Sequence, residues 1–296
     1  MRPVTDTQLM TDSACDLPLE VLDSVGAEVL PFPYTLDGKE HLDDFGRTIS
    51  YEAFYDALDA GAEAHTAQVP FGEYYEAFER AVHGGKSVLL VSLSSALSGT
   101  HDTSLLARDA FLKQHPDAEI RCVDSLCASS GLGLLVLEAA DRLAKGETAE
   151  QVAKWIEDNR TRVHAVFTVD SFDHLVRGGR VSPALGMVGA MLNINPVLHV
   201  DTEGRLVPLK KPRGRRRAIE TLADMVITGI DGRPPQRVLV SHGDSPQDAD
   251  MLVAMIRKSP GVSDVLLTRT GVIVGTHTGR GVLSVYYLGD PRTDAE

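Results

Sequence analysis

Ser87-Val88-Leu89-Leu90-Val91-Ser92 runs directly into Leu93-Ser94-Ser95-Ala96-Leu97-Ser98-Gly99-Thr100, and a helix-like stretch from His101 to Lys113 follows. A short continuous apolar run bounded by polar residues reads as a strand buried on both faces. The turn after it carries hydroxyls and the unpaired backbone N–H groups of a helix start, a combination that suits an anion such as a carboxylate or phosphate. Ser98 fits a plain helix N-cap equally well.

The same alternation extends on both sides. Gln8 to Thr11 reads as the end of a strand, Pro18 to Val25 as a helix, Glu28 to Tyr34 as a strand and Ile120 to Val123 as another. Phe71 to Val82 reads as a helix, because Tyr74, Tyr75, Phe78 and Ala81 recur near helical spacing. Strands alternating with helices predict a Rossmann-like α/β domain with a parallel sheet. After the helix Thr148 to Asn159 the pattern changes. Apolar runs at Val163 to Val169, Pro196 to Val200, Gln236 to Ser241, Asp264 to Leu267, Gly271 to Val274 and Val282 to Leu288 are separated by few helix candidates. Those candidates are Leu175 to Met191, Arg216 to Thr228 and Pro246 to Lys258. The expectation is an α+β domain whose mixed or antiparallel sheet has helices on one face, with the boundary near residue 160, giving domains 1–160 and 161–296. A ligand cleft is expected at the junction.

Composition sets limits. The chain has 296 residues and is 43% hydrophobic, enough for a substantial core. Its formal net charge of -13 argues against nucleic acid and anionic membranes as general partners. Cys15, Cys122 and Cys127 show no CxxC pairing or clustered histidines, so they read as small core residues in a reducing cytoplasm. Polar Thr5, Asp6, Thr7 and Gln8 stand where a signal peptide needs an apolar region. The apolar run Gly131 to Leu137 continues into Glu138, Asp141 and Arg142 and reads as a soluble helix, so no stable membrane insertion is expected.

Two further motifs carry chemistry. Val274-Gly275-Thr276-His277-Thr278-Gly279-Arg280-Gly281 sets one histidine among three glycines after an apolar run, as when a strand delivers an imidazole to a cleft. Leu175-Val176-Arg177-Gly178-Gly179-Arg180-Val181-Ser182-Pro183 presents two arginines around a glycine pair. A serine hydrolase with Ser98 as nucleophile and His277 as base, oriented by Asp12 or Asp170, needs those same residue types, although no G-x-S-x-G elbow surrounds Ser94, Ser95 or Ser98. Asp12 and Asp16 with Asp43 and Asp44 could instead hold a hard cation. Their spacing is not that of an EF-hand loop, and Asp16 before Leu17-Pro18 reads as a helix N-cap. No metal is expected.

Taken in order, seven segments resemble the DegV-type fatty-acid-binding proteins, which include the binding subunits of bacterial fatty acid kinase. They are Thr11 to Pro18, His65-Thr66-Ala67-Gln68-Val69-Pro70, Ser94 to Thr100, Val123-Asp124-Ser125, Leu175 to Ser182, Met191 to Leu198 and Val274 to Gly281. The resemblance implies a long-chain fatty acid as the bound ligand, with no other cofactor. Its acyl tail would lie in an apolar tunnel of the C-terminal domain. Its carboxylate would be held by Thr66, by Ser98 or the nearby Ser95, and by His277, with Arg180 in support and Thr276 and Gly99 in the same binding set.

A carboxylate carried into such a tunnel loses its hydration and must be met by several donors. Hydroxyls donate without adding charge, while histidine donates and, if protonated, also neutralises. The resemblance also implies that the protein is itself no enzyme and hands the carboxylate to a separate ATP-dependent kinase, feeding acyl phosphate to phospholipid synthesis. No G-x-x-x-x-G-K-[ST] loop is present to hold ATP. Arg205, Lys210, Lys211, Arg213, Arg215, Arg216 and Arg217 form a stretch free of acids from Gly204 to Ala218, and by the resemblance Arg213, Arg215 and Arg216 would contact the kinase. Two positions depart from the family pattern: Ala67 stands where members often carry Ser, and Arg280 where many carry Pro.

Overall fold

The computed structural model describes residues 6–182 and 194–293. The first half supplies β1 (Thr7–Asp12), α1 (Leu19–Val25), β2 (Glu28–Leu30), β3 (Pro33–Leu36), β4 (Lys39–Leu42), α2 (Tyr51–Asp59), β5 (Ala64–Thr66), α3 (Phe71–His83), β6 (Ser87–Ser92), α4 (Thr100–Gln114), β7 (Ile120–Asp124), α5 (Ser130–Leu143) and α6 (Ala149–Asn159). The second half supplies β8 (Val163–Thr168), α7 (Asp173–Arg177), β9 (Val197–Val200), β10 (Leu206–Lys210), α8 (Arg215–Gly229), β11 (Gln236–His242), α9 (Pro246–Ile256), β12 (Val262–Arg269), α10 (Val272–Thr278) and β13 (Leu283–Leu288).

Four strands form a parallel sheet in the order β2-β1-β6-β7. Val88 to Val91 of β6 are all fully buried, as a central parallel strand requires. The chain leaves β1 towards β2 and later returns on its other side as β6. Their carboxyl ends therefore flank the switch point, where open α/β sheets form their ligand crevice. Six strands form a mixed sheet in the order β10-β9-β8-β13-β11-β12, in which β11 and β12 alone run parallel. Helices α8 and α9 cover one face of it, where Ile219, Leu222, Val226, Leu252 and Ile256 pack on Val238, Val240, Leu283 and Val285.

The other face is covered by α5, which also packs on β1 and β6. Lodged between two sheets, α5 buries residues on every side, from Leu132 and Leu135 to Val136, Ala139 and Leu143. Gly131 and Gly133 permit that approach. A Cβ on Gly131 would lie 2.9 Å from the Tyr286 ring, and one on Gly133 would lie 2.8 Å from the Cys15 carbonyl. One apolar core thus spans both halves of the chain, with Val200, Leu239, Ile273 and Tyr286 joining Leu89, Val91 and Leu135.

Several local expectations change. Glu28 to Tyr34 is not one strand: β2 ends at Leu30, and β3 joins β4 and β5 in a separate antiparallel sheet. Gly271 to Val274 is not a strand but the start of α10. The predicted helix from Leu175 to Met191 is represented by α7, Asp173–Arg177, and residues 183–193 lie outside the described residues. Asp16 is not the N-cap of α1. It sits at φ 53°, its Oδ1 accepts from Gly271 N at 2.9 Å, and its Oδ2 meets the Ser129 hydroxyl, while α1 begins at Pro18 without a side-chain cap. Asp12 accepts from Ala14 N at 3.2 Å and from Leu93 N at 2.7 Å, tying the loops after β1 and β6 together.

Burial pushes Asp12 up to about 7, Asp16 to about 8 and Asp43 to about 6. Burial thus favours the protonated form of both Asp12 and Asp16, which act as hydrogen-bonding links inside the core. Among the described residues no group of three or more His, Cys, Asp or Glu side chains is placed to hold a metal ion. None of their helices is long and apolar enough to cross a membrane.

Candidate ligand site at the sheet junction

The loops at the carboxyl ends of the parallel strands, the inner face of the six-stranded sheet and α10 enclose a cavity of about 750 Å³, part of it open to solvent. Its walls are apolar over most of their extent, with Phe32, Leu93 and Leu97 facing Phe167, Val200 and Tyr286. The hydroxyls in those walls are largely spent on the protein itself. Thr278 donates to the Val274 carbonyl at 3.0 Å, Ser284 to the Ser241 carbonyl at 3.2 Å, Thr270 shares a hydrogen bond with Ser241 at 2.8 Å, and Ser129 meets Asp16.

Four polar side chains remain, and they converge. Thr66 Oγ1 on β5 lies 2.9 Å from His277 Nε2 on α10, across 211 residues of chain. His277 Nδ1 has no hydrogen-bond partner and abuts Gly178, where a Cβ would collide with that nitrogen. Two residues on, Arg180 reaches back over the serine loop, its Nε and Nη2 donating to the Leu97 carbonyl at 3.1 and 2.9 Å and its Nη1 to the Gly178 carbonyl at 2.6 Å. Ser98, next to Leu97, accepts from Thr100 N at 3.3 Å and keeps its own proton free to donate.

The charges divide clearly between these groups. Burial, joined by the neighbouring Arg180, His174 and His65, holds His277 down at about 4. Its imidazole is therefore neutral at physiological pH and can act as a donor, but not as the counter-charge. When Nε2 carries the ring proton and donates to Thr66 Oγ1, the threonine hydroxyl is left free to donate into the cavity. The cation is Arg180, half-buried and with no ion pair to any carboxylate among the described residues. A guanidinium spent only on two carbonyls in an apolar wall is suited to an anionic ligand.

The remaining predicted residues lie elsewhere. Ser95 is exposed and outside the cavity wall, its backbone N bound to Asp124 at 3.2 Å, and Ser94 is buried with its hydroxyl on the Gly204 carbonyl at 3.0 Å. Gly99 is the exposed N-cap of α4, where a Cβ would strike the Gln68 amide. Thr276 bonds the Val272 carbonyl at 2.7 Å and faces a separate polar recess. Arg280 turns away from His277 into a nest of Asp56, Asp59 and Asp244, its Nε lying 2.7 Å from Asp59. It ties α2 to the loop after β11 and adds no charge to the cavity.

In the basic stretch Arg213 and Arg216 are exposed, whereas Arg215 is a clamp. Arg215 pairs with Asp248 at 2.8 Å and Asp170 at 3.3 Å and also donates to the Gly281 carbonyl. The wall residues Phe32, Tyr286, Val200 and Leu206 carry no motif of their own. Burial at a strand end or beside the sheet face is their only mark.

A family model described as an uncharacterised protein of the DegV family matches residues 6–290. The chain belongs to the DegV family. A DegV domain-containing protein of Clostridium perfringens is 37% identical over 284 residues, which cover 96% of this chain and 98% of that one. Among solved structures, a DegV family protein from Thermus thermophilus, described by its fatty acid binding, superposes with a TM-score of 0.87 at 27% identity over 96% of this chain and 99% of its own. The Fak (fatty acid kinase) B3 protein of Streptococcus pneumoniae, solved loaded with linoleic acid, gives 0.83 at 26% identity with the same coverage. The parallel four-stranded sheet and the separate mixed sheet are thus the DegV architecture.

Proposed function

We propose that this protein binds one long-chain fatty acid in the junction cavity, and that it presents the carboxylate to a separate ATP-dependent kinase that forms an acyl phosphate for phospholipid synthesis in the cytoplasm. The observation that carries the reading is the convergence of Thr66, Ser98, His277 and an unpaired Arg180 at one place in an otherwise apolar cavity. The acyl chain supplies most of the affinity, at about 0.8 kcal/mol per buried methylene. The polar cluster fixes which end is recognised. The fatty acids bound by the Thermus and Streptococcus relatives support the ligand class, and the kinase named with the latter supports the partner.

The hydrolase alternative lacks its geometry. Ser98 has no hydrogen bond to His277, no carboxylate orients His277 Nδ1, Asp12 is spent on backbone N–H groups, and Asp170 is paired with Arg215. For kinase docking, the exposed Arg213 and Arg216 form the proposed contact, Arg216 pairing only on the surface with Glu220, and Arg215 is withdrawn from it because its guanidinium is largely buried against Asp248 and Asp170.

Mass spectrometry of the purified protein, native and then denatured, tests the ligand class. A long-chain fatty acid at close to one per chain, released on unfolding, is expected. A protein that is empty and takes up no added hexadecanoate would refute the proposal.

A further inference from the structure

A second recess adjoins the cavity on the far side of the Thr66–His277 pair. It holds about 540 Å³, part of it open to solvent, and shares Thr66, Arg180 and His277 with the acyl cavity. Its own titratable additions are His65, His174 and Arg177, and among the described residues no carboxylate lines it. Arg177 and His65 are exposed at its mouth, whereas His174 is held inside, its ring against Gly279 and hydrogen-bonded to the Thr276 backbone. Asp59 and Asp173 are close enough to act on His174 but do not line the recess, and Asp59 is already paired with Arg280. Arg177, like Arg180, has no ion pair among the described residues.

The charge here comes from two guanidiniums, while the imidazoles, His277 and His174 among them held towards the neutral form, add donors; together they exceed what a single carboxylate needs. They match a group with more negative charge and more acceptor oxygens, and arginine suits phosphate by its forked donors. The position is equally specific. A ligand whose tail fills the apolar cavity and whose carboxyl lies at Thr66 and His277 has its next atoms pointing into this recess.

We infer that His65, His174 and Arg177 line the subsite that receives the phosphoryl group when an acyl phosphate occupies the cavity. The inference rests on the fatty-acid reading above. In the transfer that forms the acyl phosphate, a carboxylate oxygen attacks the terminal phosphorus of the kinase-bound nucleoside triphosphate. The new carboxyl O–P bond forms as the bond to the leaving diphosphate breaks, and no proton needs to move. The product carries about one more negative charge than the fatty acid. The recess meets that added charge, while Thr66, Arg180 and His277 serve both ligands.

The test compares hexadecanoate with 2-oxoheptadecylphosphonate, in which CH₂ replaces the bridging oxygen of hexadecanoyl phosphate, on the delipidated full chain. Arg177→Ala combined with His65→Ala, both exposed changes, is expected to weaken phosphonate binding roughly 10- to 100-fold and to leave hexadecanoate within about 3-fold of the unsubstituted protein. Equal losses for both ligands, or no loss for the phosphonate, overturn the inference. So does an unsubstituted protein that binds hexadecanoate but not the phosphonate, although the fatty-acid reading then stands. Failure to bind hexadecanoate removes that reading and this inference with it.

Discussion

Arg180→Ala weakens hexadecanoate binding by about 2–3 kcal/mol, or roughly 30- to 150-fold in Kd. The reason lies in how charge is divided in the cavity. His277 is held neutral, Thr66 and Ser98 are neutral donors, and Arg180 is the cation that can face the carboxylate. Without it the bound carboxylate keeps hydrogen bonds but loses its counter-charge in an apolar wall, the situation that desolvation penalises most. The Arg180 side chain also holds the Leu97 carbonyl, so the variant's melting temperature is measured beside its affinity. Arg180→Lys keeps the charge without the fork and is expected to recover part of the loss. Isothermal titration of delipidated protein decides: an Arg180→Ala affinity within about 3-fold of the original would show that the carboxylate does not lie against this guanidinium.

The second large effect falls on stability and separates two arginines that the sequence places side by side. Arg215→Glu removes the clamp on Asp248, Asp170 and the Gly281 carbonyl and sets a third carboxylate among the first two. A cost of about 3 kcal/mol is expected, read as a fall in Tm on the order of 6–12 °C. The loss propagates to the site, because Asp170 precedes α7 and its Gly178 to Arg180 turn, and Gly281 lies two residues beyond Gly279, the C-cap of α10. Arg213→Glu with Arg216→Glu lies on exposed surface. That pair is expected to leave Tm within about 2 °C and bound lipid unchanged, while slowing kinase-dependent phosphorylation. An Arg215→Glu protein that melts with the unsubstituted one would remove the clamp.

What the sequence discloses depends on how local the deciding interaction is. The β6 strand and its serine turn are legible because apolar run, hydroxyls and helix start lie within fourteen consecutive residues, Ser87 to Thr100. Helix α10 is misread as a strand because Val272, Ile273 and Val274 are β-branched. Its helical state is set by packing, with Gly271 tied to Asp16 and Gly275 so close to Tyr55 that a Cβ would lie 2.6 Å from the hydroxyl.

The pairing of Thr66 with His277 spans 211 residues, and only the family resemblance brings them together beforehand. Arg280 shows the same limit from the other side. Its charge is visible beside His277 in the sequence, but its direction is decided by Asp56, Asp59 and Asp244, which come from α2 and from the loop after β11. His65 and Arg177 stand inside recognisable segments, and the recess they form appears only when β5 and α7 meet α10.

The most direct test of the central claim is a crystal structure of the hexadecanoate complex. The account predicts a carboxylate within hydrogen-bonding distance of Thr66 and His277 and facing Arg180, with the chain running between Phe32, Phe167 and Tyr286. A carboxylate lying at the opposite end of the cavity, or an acyl chain bound elsewhere on the protein, would contradict it.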